Sequence, residues 1–450
     1  MLGYNFKYEF KFLVRNKWIQ VLFVILLGLV YFAGVNGTEK VEKRASDIQK
    51  AQEQLDEAKK VTVYDKTLAY LPIEPFAFTS IGQSDIYTPY LSLHMMQNDF
   101  ELNHTELTSP VQLLFGSFDM AFIIVFLLPL IIIAFTYNTL SYEKERGSLK
   151  LLASQPISIY QWLIQKMLLR FFWVALIIIL VLIITFILNG ISIGDHMSQF
   201  LIYLGLIISY LLFWFAIAFV VNLVVGSSAK NAISLLGLWV IFVLLIPSTL
   251  NQIGNSIFPI PSRTNLINEM RVTKEEVKEK QDEVMDELLR DHPEYAKEGG
   301  MNRNAYLSLY LKSNKLVRDE LKSLYESYEE QLEKQQNWIQ KWRFVSPAII
   351  MHQNLNHIAG TSGDQYKNFR KQALTYSGEL RTFYESYIHK QDQLNETSVK
   401  LAPKFAYDAS LDKDNSIFSI LILLLFSIAI GFIGWLGYTK KKAKGNFIIN

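Results

Sequence analysis

Two groups of side chains have types and spacing that chemistry could use: Glu143, Glu145 and Arg146 in the stretch YEKERGSLKLLASQPISIY, and the pair His352 and His357. The histidines invite a metal-binding reading, since neutral imidazole is a common ligand. A five-residue step, however, turns about 140° away on a helix, so the two do not share a face and read as satisfied polar histidines. No G-x-x-x-x-G-K-[ST] loop is present to cradle nucleotide phosphates. The chain is therefore not expected to be its own ATPase or to bind a cofactor. With no cysteine, thiolate chemistry, cysteine-ligated metals and a disulfide framework are excluded. What is left is the acidic pair, set at the C-terminal end of an apolar helix, where the helix dipole disfavours negative charge by about 0.3 to 1 kcal/mol each. Some other partner should want these carboxylates there.

The residues around them suggest an element that carries force. Gly147 is expected to end the helix, and SLKLLASQ to make about two amphipathic turns with Leu149 and Leu152 on one side. Pro156 stops that piece, and Ser158 with Gln161 forms a capping box that starts the next helix. The product is a short helix, 148–156, apolar on one face, flanked by charge and joined to two membrane spans. It suits transmission of force from a soluble partner; an ordinary interfacial loop is the plainer alternative.

The elements that hold this stretch follow from where the apolar residues lie. Half of the 450 residues are hydrophobic, and they gather in long charge-free runs. Six runs exceed the roughly 20 residues that a helix needs to cross a hydrocarbon core. The expected fold is an all-α membrane protein with spans at 18–37, 119–141, 168–190, 198–225, 231–254 and 415–438. Two mainly helical extracytoplasmic insertions, 38–118 and 255–414, follow spans 1 and 5, and 142–167 forms the connection between spans 2 and 3. A signal peptide at 1–36 is disfavoured, because the apolar run is too long and no small-residue cleavage site follows.

Basic residues set the orientation. Lys7, Lys11, Arg15 and Lys17 precede span 1; Lys144, Arg146, Lys150, Lys166 and Arg170 lie between spans 2 and 3; Lys230 lies between spans 4 and 5. Lys440, Lys441, Lys442 and Lys444, around the 439–450 tail, follow span 6. All fall on one side, which places both termini in the cytoplasm; outer loops without cysteine fit either a bacterial outer compartment or an extracellular face, and a bacterial cytoplasmic membrane is the expected location. The net charge of +2 adds little, and no basic stripe points to nucleic acid. In residues 1–17, Phe6 and Phe10 lie with Tyr4, Leu13 and Val14 mostly on one side, while Lys7, Lys11 and Arg15 recur every four residues. That pattern predicts a helix lying on the lipid of the cytoplasmic leaflet.

Residues 39–60 predict a solvated helix, 71–90 an irregular aromatic segment, and 264–290 and 301–343 long helices, the latter with a one-sided apolar stripe from Leu307 and Tyr310 to Trp342. Ser346 and Pro347 read as the N-cap and first residue of another helix. The spans carry no charge near their centres, which argues against a proton relay or a self-sufficient secondary transporter. Pro129 and Pro247 lie inside spans 2 and 5, where proline frees a carbonyl and bends the helix; they are candidate hinges. Asn138, Asn189, Asn222, Asn251 and Asn255 could line a path or form packing contacts.

The stretch Glu143-Lys-Glu145-Arg146-Gly147-Ser148-Leu149-Lys-Leu151-Leu152-Ala-Ser154-Gln-Pro156-Ile157-Ser158 resembles the coupling segment of ABC-2 type transporter permeases. There a pattern like E-x-E-x-G-T-L-x-L-L-L-S-x-P-V-S-R precedes the third span. Ser148 replaces the common Thr and keeps its hydroxyl, Ile159 stands where Arg is common, and Gln165-Lys166 where Gly-Lys is common. Gly226-Ser227-Ser228-Ala229-Lys230, with the span ending in Pro247, looks like the family's short loop between spans 4 and 5. Gly82 to Tyr87, Ser346-Pro347-Ala348 and Ala359-Gly360-Thr361 resemble a subfamily with large outer domains.

The resemblance implies a pair of permease subunits, identical or different, served by two cytoplasmic ABC ATPases that carry ATP and Mg. The 148–156 helix would dock in an ATPase groove with residues 1–17 packed beside it. Glu143, Glu145 and Arg146 would pair with ATPase charges, and spans 2 and 5 would tilt across the subunit interface. The expected function is ATP-driven export of an unidentified substrate. The alternative is mechanical transmission to an extracytoplasmic protein, with nothing transported.

Overall fold

The computed structural model describes residues 11, 15, 17–59, 66–94, 118–149, 158–224, 226–291, 293, 303–389, 401–411 and 415–443. The charge-free runs form helices because a chain in hydrocarbon must satisfy its backbone polar groups internally. Six of them are long and apolar enough to cross a membrane: Gln20–Glu57, Met120–Glu145, Ile159–Leu188, Met197–Val224, Ser228–Ile257 and Ser416–Lys440. The protein is thus an all-α, multi-pass membrane protein, and these are spans 1 to 6. Span 1 does not stop near 37; one helix, Lys17–Lys59, carries on as the solvated stretch expected after it.

Span 4 is the axis of the bundle. Two-thirds of its most apolar window is buried, against 11% in span 5, and Tyr203, Tyr210 and Trp214 lie wholly inside. Span 6 runs along it at close range: a Cβ at Gly434 would stand 2.8 Å from the Val220 side chain. Such small residues let membrane helices approach.

Spans 2 and 5 each contain one turn of π-helix, Ile123–Leu127 and Val240–Leu245, just before Pro129 and Pro247. The Leu128 N–H reaches back to the Ile123 carbonyl and the Ile246 N–H to that of Ile241. Proline has no N–H to give, so the carbonyls on the next rung are released from the ladder.

The insertions depart from expectation in two ways. First, Lys66–Tyr70 and Tyr90–His94 form an antiparallel pair of strands, with Lys66 opposite His94 and Tyr70 opposite Tyr90. Two five-residue strands joined by a long connection containing prolines carry no short-range hairpin signal. Second, parts of both insertions enter the membrane bundle's own core. Phe76 and Phe78 each bring a ring to 5.0 Å from Phe186 of span 3. The helix Pro347–Ile358, at about 1.5 Å per residue too short to cross a bilayer, packs against spans 4 and 6 and both π turns, with Ile350, Met351 and Leu355 fully buried. Its N-terminus is built as expected: Ser346 Oγ accepts from the Ile349 N–H at 3.4 Å, and Pro347 follows.

The rest of the second insertion is helical. Arg303–Trp342 packs on Arg263–Glu279, Gln281–Asp291 and Gly363–His389. Leu307, Leu311, Val317 and Leu321 of its stripe are buried, whereas Tyr310 and Trp342 are exposed. A further correction concerns Ser158. It sits at the N-cap of span 3, but its side chain makes no capping bond, and Gln161 faces solvent, so the expected capping box does not form.

Candidate coupling site

Span 2 does not run straight into the charged stretch. Its helix stops at Thr136, turns through Tyr137–Leu140, resumes as the short helix Ser141–Glu145 and closes at Gly147, whose φ of +76° suits glycine. A helix end leaves carbonyls without intrahelical donors. Here three other spans each supply one. Arg170 of span 3 donates through Nη1 to the Phe135 carbonyl at 2.5 Å and to Thr139 Oγ1 at 2.8 Å. Asn222 of span 4 donates to the carbonyls of Thr136 at 2.8 Å and Ala218 at 2.9 Å, and its Oδ1 accepts from the Leu140 N–H at 3.1 Å. Asn231 of span 5 donates to the Tyr137 carbonyl at 2.9 Å. Both asparagines are buried, where a satisfied polar group rigidifies; Asn222 uses both ends of its amide, while Asn231 is held through its NH2 group and its Oδ1 makes no hydrogen bond.

The two carboxylates find partners within the chain. Glu145 accepts from the Ser228 N–H at 2.7 Å and from its hydroxyl at 2.9 Å, so a residue badly placed for span 2's dipole is well placed for the N-terminus of span 5. Ser227 caps the same helix, its Oγ accepting from the Lys230 N–H at 3.4 Å. Glu143 pairs with Lys166 of span 3 at 3.1 Å and accepts from the Ser148 hydroxyl, which explains the use of a hydroxyl at 148. Lys166 also lies 4.3 Å above the Trp162 ring, and the Arg146 guanidinium 4.4 Å above that of Tyr142.

The expected coupling residues therefore divide. Glu143 and Glu145 are bound within the chain, and Leu149 points inward with 6% exposure. Arg146 and Gly147 are exposed, and Ser148 is half-buried. Leu151, Leu152, Ser154 and Pro156 lie outside the described residues, as do Phe6 and Phe10 of the interfacial helix; Arg15 is helical and exposed. Arg170 reads as a flanking base in the sequence and Asn231 carries no separate signal there. The available clue was that a polar side chain inside an apolar run must find a partner. Asn189 is likewise a packing residue, accepting from Thr38 Oγ1 of span 1 at 2.6 Å.

The two proline turns are held by neighbours as well. Tyr210 donates its hydroxyl to the Val125 carbonyl at 2.9 Å, the acceptor that an N–H at position 129 would meet in an α register. Ser346 donates to the Phe242 carbonyl at 2.6 Å, which in a π register would await an N–H at Pro247. Trp239, immediately before the π turn of span 5, donates its indole N–H to the Phe126 carbonyl in the π turn of span 2 at 3.1 Å. The hinge candidates are thus joined to each other.

Chemically this arrangement holds helices in register; among the described residues no cluster of three metal-ligating side chains occurs. Comparison with protein families matches residues 6–442 to the family described as ABC-2 family transporter protein. No curated protein matches the chain.

Proposed function

Because this chain belongs to the ABC-2 family of transporter proteins, we propose that it is the permease subunit of an ATP-driven exporter, working with a separate cytoplasmic ABC ATPase and a second permease subunit. The observation that carries this reading is the gathering of Arg170, Asn222, Asn231 and Ser228 around the end of span 2. Residues 135–149 cannot shift as a unit without drawing on spans 3, 4 and 5. In this reading the exposed Arg146 and the following 150–157 meet the ATPase, while Glu143 and Glu145 hold the lever from within. Both termini and the 142–167 connection face the cytoplasm of a bacterial cell, and the insertions face outward. Nucleotide and Mg belong to the ATPase; the permease contributes no hydrolytic chemistry.

Gentle purification of the tagged protein from its own membranes, with mass spectrometry of what coelutes, tests this. A stoichiometric partner bearing a P-loop is the expected result. Outer-compartment partners alone, with no ATPase under any detergent, would overturn the proposal.

One observation favours the second reading, force passed to an extracytoplasmic partner without transport. The helix 347–358 sits in the bundle core, and Ser346 holds the π turn of span 5, so a movement of that span reaches the insertion directly. Replacing 264–342 by a short linker spares this helix. An exporter would retain substrate-stimulated ATPase activity, whereas a transmitter would lose its function.

A further inference from the structure

Where the bundle meets the two insertions there is a cavity of about 530 Å³, within the roughly 300–1,000 Å³ usual for small-ligand sites. Charged and titratable side chains stand in its wall: Asp119 at the start of span 2, Arg343 after the long helix, His352 and His357 of the buried helix, and Asp364. Phe122, Phe126 and Ile339 add an apolar side. The wall thus carries both signs of charge, and its members differ in how far each is already satisfied.

Arg343 is the least satisfied. It is 8% exposed, yet among the described residues its side chain makes no ion pair: Nη1 donates to Gln340 Oε1 at 3.1 Å, and the guanidinium lies 4.8 Å above the Phe344 ring. A guanidinium has five N–H donors and keeps its charge, and a buried charge without a countercharge is costly. The oxygens of Gln336 and Gln353 are sealed off, but no Arg343 nitrogen is both sealed and unpaired among the described residues.

Asp364 is its complement. It is exposed, in the first turn of Gly363–His389, and its Oδ2 accepts from Gln340 Nε2 at 3.0 Å. One neutral amide therefore stands between two opposite charges that line the same cavity. Burial holds the Arg343 guanidinium below its ordinary range, and the Asp364 charge acts in the opposite direction. Asp119 is committed elsewhere, one oxygen accepting from the Ile81 N–H at 2.8 Å and the other from the Phe122 N–H at 2.7 Å. His352 is exposed on a helix where Met351 and Asn354 are buried, and it lines this cavity. Its Nδ1 faces the Asn356 amide nitrogen at 3.4 Å; that nitrogen can only donate, which puts the ring proton on Nε2 and makes it a donor. A lone anion entering the cavity meets Asp364, and a lone cation meets Arg343. A molecule with an acid at one end and an ammonium at the other answers both.

We propose that this cavity binds a zwitterion, a small molecule carrying an oxyanion and an ammonium group, with the oxyanion on Arg343 and the ammonium on Asp364. A short peptide and an ethanolamine phosphate headgroup share that chemistry, and the probes separate them. The site stands apart from the coupling contacts, and its test needs no ATPase. The full-length protein is held in phosphatidylglycerol nanodiscs, so that no ammonium-bearing lipid competes. Dialanine and phosphoethanolamine are titrated by saturation-transfer NMR to about 30 mM, which reaches millimolar affinity. Each is compared with its N-acetylated form, and dialanine also with alanyl-alaninamide. At least one zwitterion should bind, and blocking either of its ends should weaken it about tenfold. In Asp364→Asn the penalty for acetylation should shrink to about twofold, while in Arg343→Gln the penalty for amidation should do so. A general disturbance of the fold would not produce that crosswise pattern. If Arg343→Gln does not fold, the exposed Asp364→Asn decides together with the wild-type comparison of free acid and amide. Binding of dialanine assigns a peptide, and binding of phosphoethanolamine alone a headgroup. Binding of neither, blocked forms that bind as well as the zwitterion, or an acetylation penalty unchanged in folded Asp364→Asn would overturn the assignment.

Discussion

Glu145, the last residue of the short helix after span 2, and Ser228, the first helical residue of span 5, are joined by two hydrogen bonds, one to the Ser228 N–H and one to its hydroxyl. Eighty-three residues separate them in the chain. The bonds bring together two motifs that look unrelated in the sequence: the acidic end of the charged stretch and the small-residue loop before span 5. In the proposed coupling, a push on the exposed face near Arg146 would be delivered to spans 2 and 5 together, the two spans in which a π turn precedes a proline.

The first prediction concerns this link. Glu145→Gln keeps an acceptor oxygen but loses the charge facing the span 5 N-terminus, and Glu145→Ala loses both. ATPase stimulation in the reconstituted complex should fall in the order wild type, Gln, Ala, while membrane insertion and assembly persist. Equal rates across the series would contradict a transmitting role.

Asn222 replaces two missing backbone partners at the break in span 2, donating to the Thr136 carbonyl and accepting from the Leu140 N–H. Asn222→Leu leaves a buried N–H and carbonyl unmatched, at about 1 to 3 kcal/mol per group. Thermal unfolding in nanodiscs should show a drop of several degrees. An unchanged midpoint would mean that water or a rearranged helix satisfies these groups.

Tyr210 gives the Val125 carbonyl the donor that an α-register N–H at position 129 would supply and that Pro129 lacks. Tyr210→Phe should destabilise by about 0.6 to 1.7 kcal/mol, the range of interhelical hydrogen bonds in membranes. In a Pro129→Ala background, where residue 129 regains an N–H, the same change should cost clearly less. A double-mutant cycle of unfolding free energies measures this difference, and strict additivity would refute the carbonyl account.

Gly147 holds a left-handed backbone in open surroundings, with no neighbouring atom within 4 Å of the place a Cβ would occupy. Its requirement is therefore conformational rather than one of space. Gly147→Val should strain the turn by about 1 to 2 kcal/mol and reduce ATP-dependent activity, and Gly147→Asn, which tolerates this region, should retain most of it. Loss of activity in both variants to the same extent would point to a contact at that position instead.

The membrane architecture was readable from the linear pattern because it depends on local quantities. The length of a charge-free run decides whether a helix can cross, which is why all six spans emerged, and the intrinsic effects of Pro129, Pro247 and Gly147 on the backbone follow from residue type alone. The N-cap at Ser346 was legible for the same reason. The capping box at Ser158 was not realised, since its reciprocal half depends on where Gln161 points. Nothing local says that Asn231 will meet Tyr137, that Tyr210 will answer the carbonyl freed by Pro129, or that Glu145 will cap span 5. Hydrogen bonds between distant elements are specified by packing geometry, and in an apolar bundle many registers are nearly equal in burial. The polar side chains choose among them only once the helices are close enough for an unmatched carbonyl to find its donor.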